Sequence, residues 1–191
     1  QTCALPISPS YAGPCAGVDF GGESVNAFMK NSFVNALHSD QHPHSGIILA
    51  AKAKQAQAFH AQGLLWGGNL TMLCSVLGTP YFPKPAQIAG GILLIEDVNE
   101  RPYRVERMLN QLSLAGVLGS QSAVLWGDFG TPVPAAYDRG YGLPSVLKYL
   151  RNELNVRVAT GLPFGHIAKK ATLPIGKRVV LTVTPAGFTL Q

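Results

Sequence analysis

The chain contains no Cys-x-x-Cys pair, no Gly-x-Ser-x-Gly elbow and no apolar run long enough to span a membrane. Its three cysteines, Cys3, Cys15 and Cys74, are odd in number and widely spaced. That argues against a disulfide framework or a zinc site and fits a reducing, cytoplasmic compartment. Charge is sparse as well, at 13% of residues, and the net charge of +5 comes from scattered Lys and Arg. The close pairs, Lys169-Lys170 and Lys177-Arg178, flank apolar segments. Without a basic stripe carrying interleaved aromatics, these charges read as a solvated surface and not as a nucleic-acid face. The first residues have no basic stretch leading into an apolar core, so no signal peptide is read.

What is abundant is apolar surface. Hydrophobic residues make up 47% of the 191, enough to bury a sizeable core in one domain, or in one domain and part of another. The 21 glycines and 14 prolines imply many tight connections and an α/β or β-rich chain.

Residues 1–7, Gln-Thr-Cys-Ala-Leu-Pro-Ile, have neither charge nor periodicity, and Ala4-Leu5-Pro6-Ile7 is what the common sequencing-adapter end GCTCTTCCGATCT encodes in one frame. They are expected to be a non-native tail, with native sequence starting near Ser8. Residues 8–22 read as loop. Residues 23–37 place Val25, Phe28, Met29, Phe33 and Leu37 near helical spacing. Residues 38–46 read as a linker. Its histidines, His38, His42 and His44, invite a metal reading, but Pro43 interrupts the helical spacing and no further ligand is in view, so a solvated loop is expected and no metal.

Residues 47–65 read as strands and connections ending at Gly67-Gly68-Asn69. A short buried helix is predicted over 70–77, with Asn69 as N-cap and Gly78 as stop. Gly91-Ile92-Leu93-Leu94-Ile95 predicts a strand buried on both faces. The next helix is predicted to start near Pro102, with Val105, Met108, Leu109 and Leu112 on one face and Gly116 beyond its end; Glu100 and Arg104 can pair at i, i+4. A second buried strand over 122–126, a helix over 144–154, a third strand over 156–160 and a C-terminal hairpin over 177–190 complete the reading.

Two polar residues stand out by position. Glu96 follows an apolar strand, and His166 lies in a Gly-flanked turn after another. Strand ends are where α/β proteins place reacting groups. A carboxylate that orients an imidazole, which in turn takes a proton from a nucleophile, is the logic of a triad. The same residues also suit a structural histidine and an acid capping the next helix. No nucleophile is evident: Ser145 opens a helix beside Pro144, Ser45 lies in the histidine loop, and Cys74 sits mid-helix on an apolar face.

Three segments together carry a family resemblance. They are Leu65-Trp66-Gly67-Gly68-Asn69-Leu70 with Gly78-Thr79-Pro80, Ile95-Glu96-Asp97-Val98-Asn99-Glu100-Arg101-Pro102 running on to Leu109, and Gly161-Leu162-Pro163-Phe164-Gly165-His166. In this order and spacing they resemble the muramoyltetrapeptide (LD-) carboxypeptidase family of serine peptidases, from about Ser10 to the C-terminus. The resemblance implies an α/β fold: a C-terminal domain over 46–191 with a mixed β-sheet and flanking helices, preceded over 8–45 by the tail of a Rossmann-like N-terminal domain and its linker. It places the family's glutamate on Glu96 and its histidine on His166, and puts Gly67, Gly68 and Asn69 in the substrate wall beside them. A tight turn capping the next helix is an equally good reading of those three. The family's serine, within a Gly-x-Ser-Asp sequence, has no counterpart here and is expected upstream of residue 1.

The implied reaction is cleavage of the L,D amide between diaminopimelate and the terminal D-alanine of murein tetrapeptides in cell-wall recycling. No cofactor or metal is needed, no membrane or nucleic acid is involved, and a homodimer is expected from the family. With its serine missing, the chain alone is expected to be inactive. Two rivals remain: a microcin-immunity-type amide hydrolase of the same family, and a non-catalytic binding or dimerisation remnant.

Overall fold

The computed structural model describes residues 7–38, 49–132 and 136–191. The expectations for the first six residues, for most of the histidine linker, His42 and His44 included, and for Ser45 lie outside them.

The architecture is mixed α/β, built on a seven-stranded sheet with helices packed on it. The strand Phe59–Asn69 (β3) organises it because it serves two ladders in succession. Its first part, Phe59 to Leu64, pairs antiparallel with Arg178–Thr184 (β8). Its second part, Leu65 to Asn69, pairs parallel with Ile92–Glu96 (β4). Beyond β4 the parallel ladder continues through Ala123–Trp126 (β5) to Val158–Ala159 (β6). On the other side, β8 pairs with Gly187–Leu190 (β9), the predicted hairpin, and β9 pairs with Leu49–Lys52 (β2).

Parallel strands need crossovers, and helices supply them. Leu70–Val76 (α2) starts where β3 ends, and the Asn69 side chain accepts from the Met72 amide, as a cap should. After the short Pro85–Ile88 turn (α3), β4 leads into Pro102–Leu114 (α4), and β5 leads into Leu143–Asn152 (α5). The period-2 alternation of β4 divides the core. Leu93 and Ile95 join Trp66, Val124, Trp126 and the inner faces of α2, α4 and α5. Ile92 and Leu94 join the opposite layer with Leu65, Leu125, Leu162, Leu173 and Leu181. Glu96 has the parity of Ile92 and Leu94, so its side chain leaves the strand on the side where the 160–175 segment packs.

Two readings are corrected by the structure. Residues 8–22 are not all loop: Ser10–Ala12 (β1) pairs antiparallel with Leu173–Ile175 (β7), and Ala16–Phe20 forms a π-helical turn. The third strand is only two residues long, and its edge is covered by a side chain. Buried Gln55 accepts from the Thr160 amide at 3.0 Å and donates to the Thr160 carbonyl at 2.8 Å, as a paired strand would. The helix Ala27–His38 (α1) follows, with Met29 buried and Val34 and Leu37 exposed. The N-terminal segment is tied to the rest by the Lys170–Asp19 ion pair at 2.9 Å and by the Thr172 amide donating to Ser32 at 2.9 Å. Among the described residues, no helix is long and apolar enough to cross a membrane.

Candidate active site

The parallel register brings the polar residues to one rim. Asn69 lies opposite Glu96 in the β3–β4 ladder, and Ile95 lies opposite Trp126. The carboxyl ends of β3, β4, β5 and β6 therefore finish together, which is where a doubly wound sheet opens a crevice.

His166 reaches this rim from the loop after β6, and a chain of backbone hydrogen bonds sets its position. The Gly127 amide donates to Ile95 O at 2.8 Å, Asp128 N to Phe164 O at 2.7 Å, and Ala171 N to Pro163 O at 2.7 Å. Gly165 has φ +133°, and a Cβ there would stand 3.2 Å from Glu96 Oε2 and 3.1 Å from Asp128 O. A glycine is therefore what lets the loop come this close to the carboxylate.

The result is a direct contact between Glu96 Oε2 and His166 Nδ1 at 3.2 Å. The two ends differ in exposure: the Glu96 side chain is 7% exposed and that of His166 is 58% exposed. A buried carboxylate thus holds one ring nitrogen while the other edge of the ring faces outward, open to a hydroxyl and a substrate. Among the described residues no serine, threonine or cysteine is hydrogen-bonded to the ring. Cys74 is not a candidate: its thiol donates to Met108 O at 3.6 Å, and burial pushes its pKa up to about 11. Ser145 lies at the start of α5 against Gly142 N, at 3.5 Å.

Burial raises the Glu96 pKa above the ordinary carboxylate value, and the neighbouring Asp97 charge adds to this; His166 and the Asn69 amide oppose it. The folded protein therefore holds a proton on Glu96 over a pH range where the unfolded chain has released it. Stability contributed at this site falls as pH rises from the ordinary value through the raised one, and is level above it. Glu96→Gln, which cannot ionise, is expected to gain stability relative to wild type across that window and to keep the gain at neutral pH. Urea unfolding at a series of pH values checks this; a variant that loses ground as pH rises would contradict it.

Asn69 is at the rim and its side chain caps α2, as the capping reading expects. Gly67 and Gly68 carry φ +109° and +146°, and both lie in β3 beside β4. The residue that sequence reasoning named only as part of a Glu-Asp pair is Asp97. It is 4% exposed and accepts four hydrogen bonds, from Asn69, Thr71 (twice) and Val98. The signal available in the sequence was an acid next to the candidate acid; its partners on α2 were not readable. Glu100 and Arg104 pair as expected, at 3.6 Å. His38 ends α1, and among the described residues no group of three or more His, Cys, Asp or Glu is placed to hold a metal ion.

Comparison with known proteins agrees with this fold. The family model for the LD-carboxypeptidase C-terminal domain matches residues 62–181, a span that runs from within β3 to within β8 and includes both Glu96 and His166. The probable murein peptide carboxypeptidase of Bacillus subtilis is 29% identical over 172 residues, which cover 90% of this chain and 52% of that protein. The crystal structure of muramoyltetrapeptide carboxypeptidase from Oxalobacter formigenes superposes with a TM-score of 0.84 at 40% identity, covering 96% of this chain and 61% of that one. The microcin C7 self immunity protein shares the fold, with a TM-score of 0.72 at 19% identity over 95% of this chain and 60% of that one. The chain spans about half the length of its Bacillus relative. It belongs to the LD-carboxypeptidase family of carboxypeptidase hydrolases and matches that family's C-terminal domain.

Proposed function

We propose that this chain supplies the acid–base half of a serine-type LD-carboxypeptidase that removes the terminal D-alanine from murein tetrapeptides during cell-wall recycling. The observation that carries the proposal is the Glu96–His166 contact of 3.2 Å at the carboxyl rim of the parallel strands. This reading takes the nucleophile, a serine, from sequence outside residues 1–191; within them no Gly-x-Ser-x-Gly elbow occurs.

The chemistry follows from the groups present. The serine hydroxyl attacks the carbonyl of the L,D amide, and His166, through the nitrogen turned away from Glu96, takes its proton. Glu96 holds Nδ1–H and stabilises the imidazolium that forms. His166 then gives the proton to the departing D-alanine nitrogen. Water attacks the acyl-enzyme with the same imidazole as base, which regenerates the serine and frees the shortened peptide. Backbone N–H groups at the rim hold the oxyanion, and the end of β3 from Gly67 to Asn69 walls the substrate.

A second reading, cleavage of peptide–nucleotide conjugates, is favoured by the likeness to the microcin C7 self immunity protein. The two separate in a competition assay on the chain expressed together with the coding sequence upstream of it. D-Alanine released from a murein tetrapeptide, with a higher kcat/KM than cleavage of an aminoacyl-sulfamoyl nucleotide, is the expected result. The reverse order would assign the second reading, and turnover of neither would leave a binding remnant.

A further inference from the structure

We infer that Asp97 is a positioning residue for the Glu96–His166 pair, acting through the side-chain amide of Asn69; this rests on the reading of that pair given above. Asp97 is buried, and no cation lies within ion-pairing distance of it among the described residues. A buried carboxylate in that situation must be satisfied by hydrogen-bond donors, and it is. Oδ1 accepts from Asn69 Nδ2 at 3.1 Å and from the Val98 amide at 2.9 Å. Oδ2 accepts from the Thr71 amide at 2.9 Å and the Thr71 hydroxyl at 2.7 Å.

Helix capping alone does not account for this arrangement. The cap of α2 is made by Asn69 Oδ1, which accepts from Met72 N at 3.0 Å. What Asp97 adds is a hold on the other end of the same amide. With Nδ2 drawn to Asp97, the amide cannot turn over without setting its oxygen against a carboxylate and its NH2 against the Met72 N–H. Asn69 stands directly opposite Glu96 in the β3–β4 ladder, so an amide fixed in this orientation lies beside the carboxylate and favours its charged form. Glu96 in turn holds His166. The line of action runs from Asp97 to Asn69, to Glu96, to the ring.

Asp97→Asn keeps the shape but turns one acceptor oxygen into a donor. The Thr71 and Val98 amides cannot change from donor to acceptor, so each orientation of the new amide sets a donor against a donor. The readout is the tautomer of His166, from long-range 1H–15N correlations of the intact chain at about pH 8.5, above the ordinary imidazole range, with the signals assigned by their loss in His166→Ala. The ratio of the Nδ1–H to the Nε2–H form is expected to fall about threefold to tenfold in Asp97→Asn, the equivalent of one weakened hydrogen bond. Thr71→Val, which removes a donor to Asp97 but not the Asn69 link, is expected to lower stability and leave the ratio unchanged. If Asp97→Asn does not fold, Asn69→Ala tests the same link and should lower the ratio alike. A wild-type ratio dominated by Nε2–H would sink the function proposed above. A wild-type ratio dominated by Nδ1–H that neither Asp97→Asn nor Asn69→Ala changes would sink only this inference.

Discussion

Gly67→Ala is expected to destabilise the fold by about 4 kcal/mol, combining backbone strain with a clash in a closed core. The residue sits in the parallel part of β3, opposite Leu94, at φ +109°. That conformation is strained for any residue with a Cβ. The added atom would also lie 2.3 Å from the Leu94 carbonyl oxygen and 2.7 Å from Leu93 Cδ1. Neither can withdraw, because β4 is bonded on both edges and is buried along its whole length. Its neighbour provides the control. Gly68 has φ +146°, but a Cβ there meets nothing within 4 Å. Gly68→Ala should cost only the strain, about 1–2 kcal/mol. Urea midpoints of the two variants test the contrast, and near-equal values would contradict the close packing of β3 on β4.

The second large effect is on turnover. In the protein with its nucleophile, His166→Ala is expected to lower kcat about 10³- to 10⁴-fold, and Glu96→Ala by a similar factor. The double variant should be no worse than the worse single one, because the carboxylate acts only through the ring it holds. Independent effects that multiply would mean that the contact between them carries no catalysis. Stability should behave differently. His166 is largely exposed, so its removal leaves the fold intact, whereas Glu96 is buried and ionises at a cost. The site keeps a carboxylate that the fold would be more stable without, a common mark of function.

Much of the frame was legible because the signals were local. Asn69 and Gly78 bracket α2, the apolar run Ile92–Ile95 is buried on both faces as a central parallel strand must be, and the stripe of α4 faces the core. The pairing of β1 with β7 was not legible, since it joins residues more than 160 positions apart and neither segment has a pattern of its own. The brevity of β6 was hidden for a related reason: Gln55, far along the chain, takes the place of a strand partner at Thr160. Within the site, Glu96 and His166 were found because each follows an apolar strand. Asp97 was passed over because its importance lies in donors supplied by Asn69 and Thr71, and only the β3–β4 register brings those within reach.

The most direct test asks which ring nitrogen of His166 carries the proton when the imidazole is neutral. Observed in the unaltered chain by 15N-resolved NMR, the proton should reside on Nδ1, facing Glu96, with Nε2 bare and able to accept from an incoming alcohol. A proton found on Nε2 would leave the ring without a basic face toward the substrate and would contradict the assignment of this pair as the working half of a hydrolase.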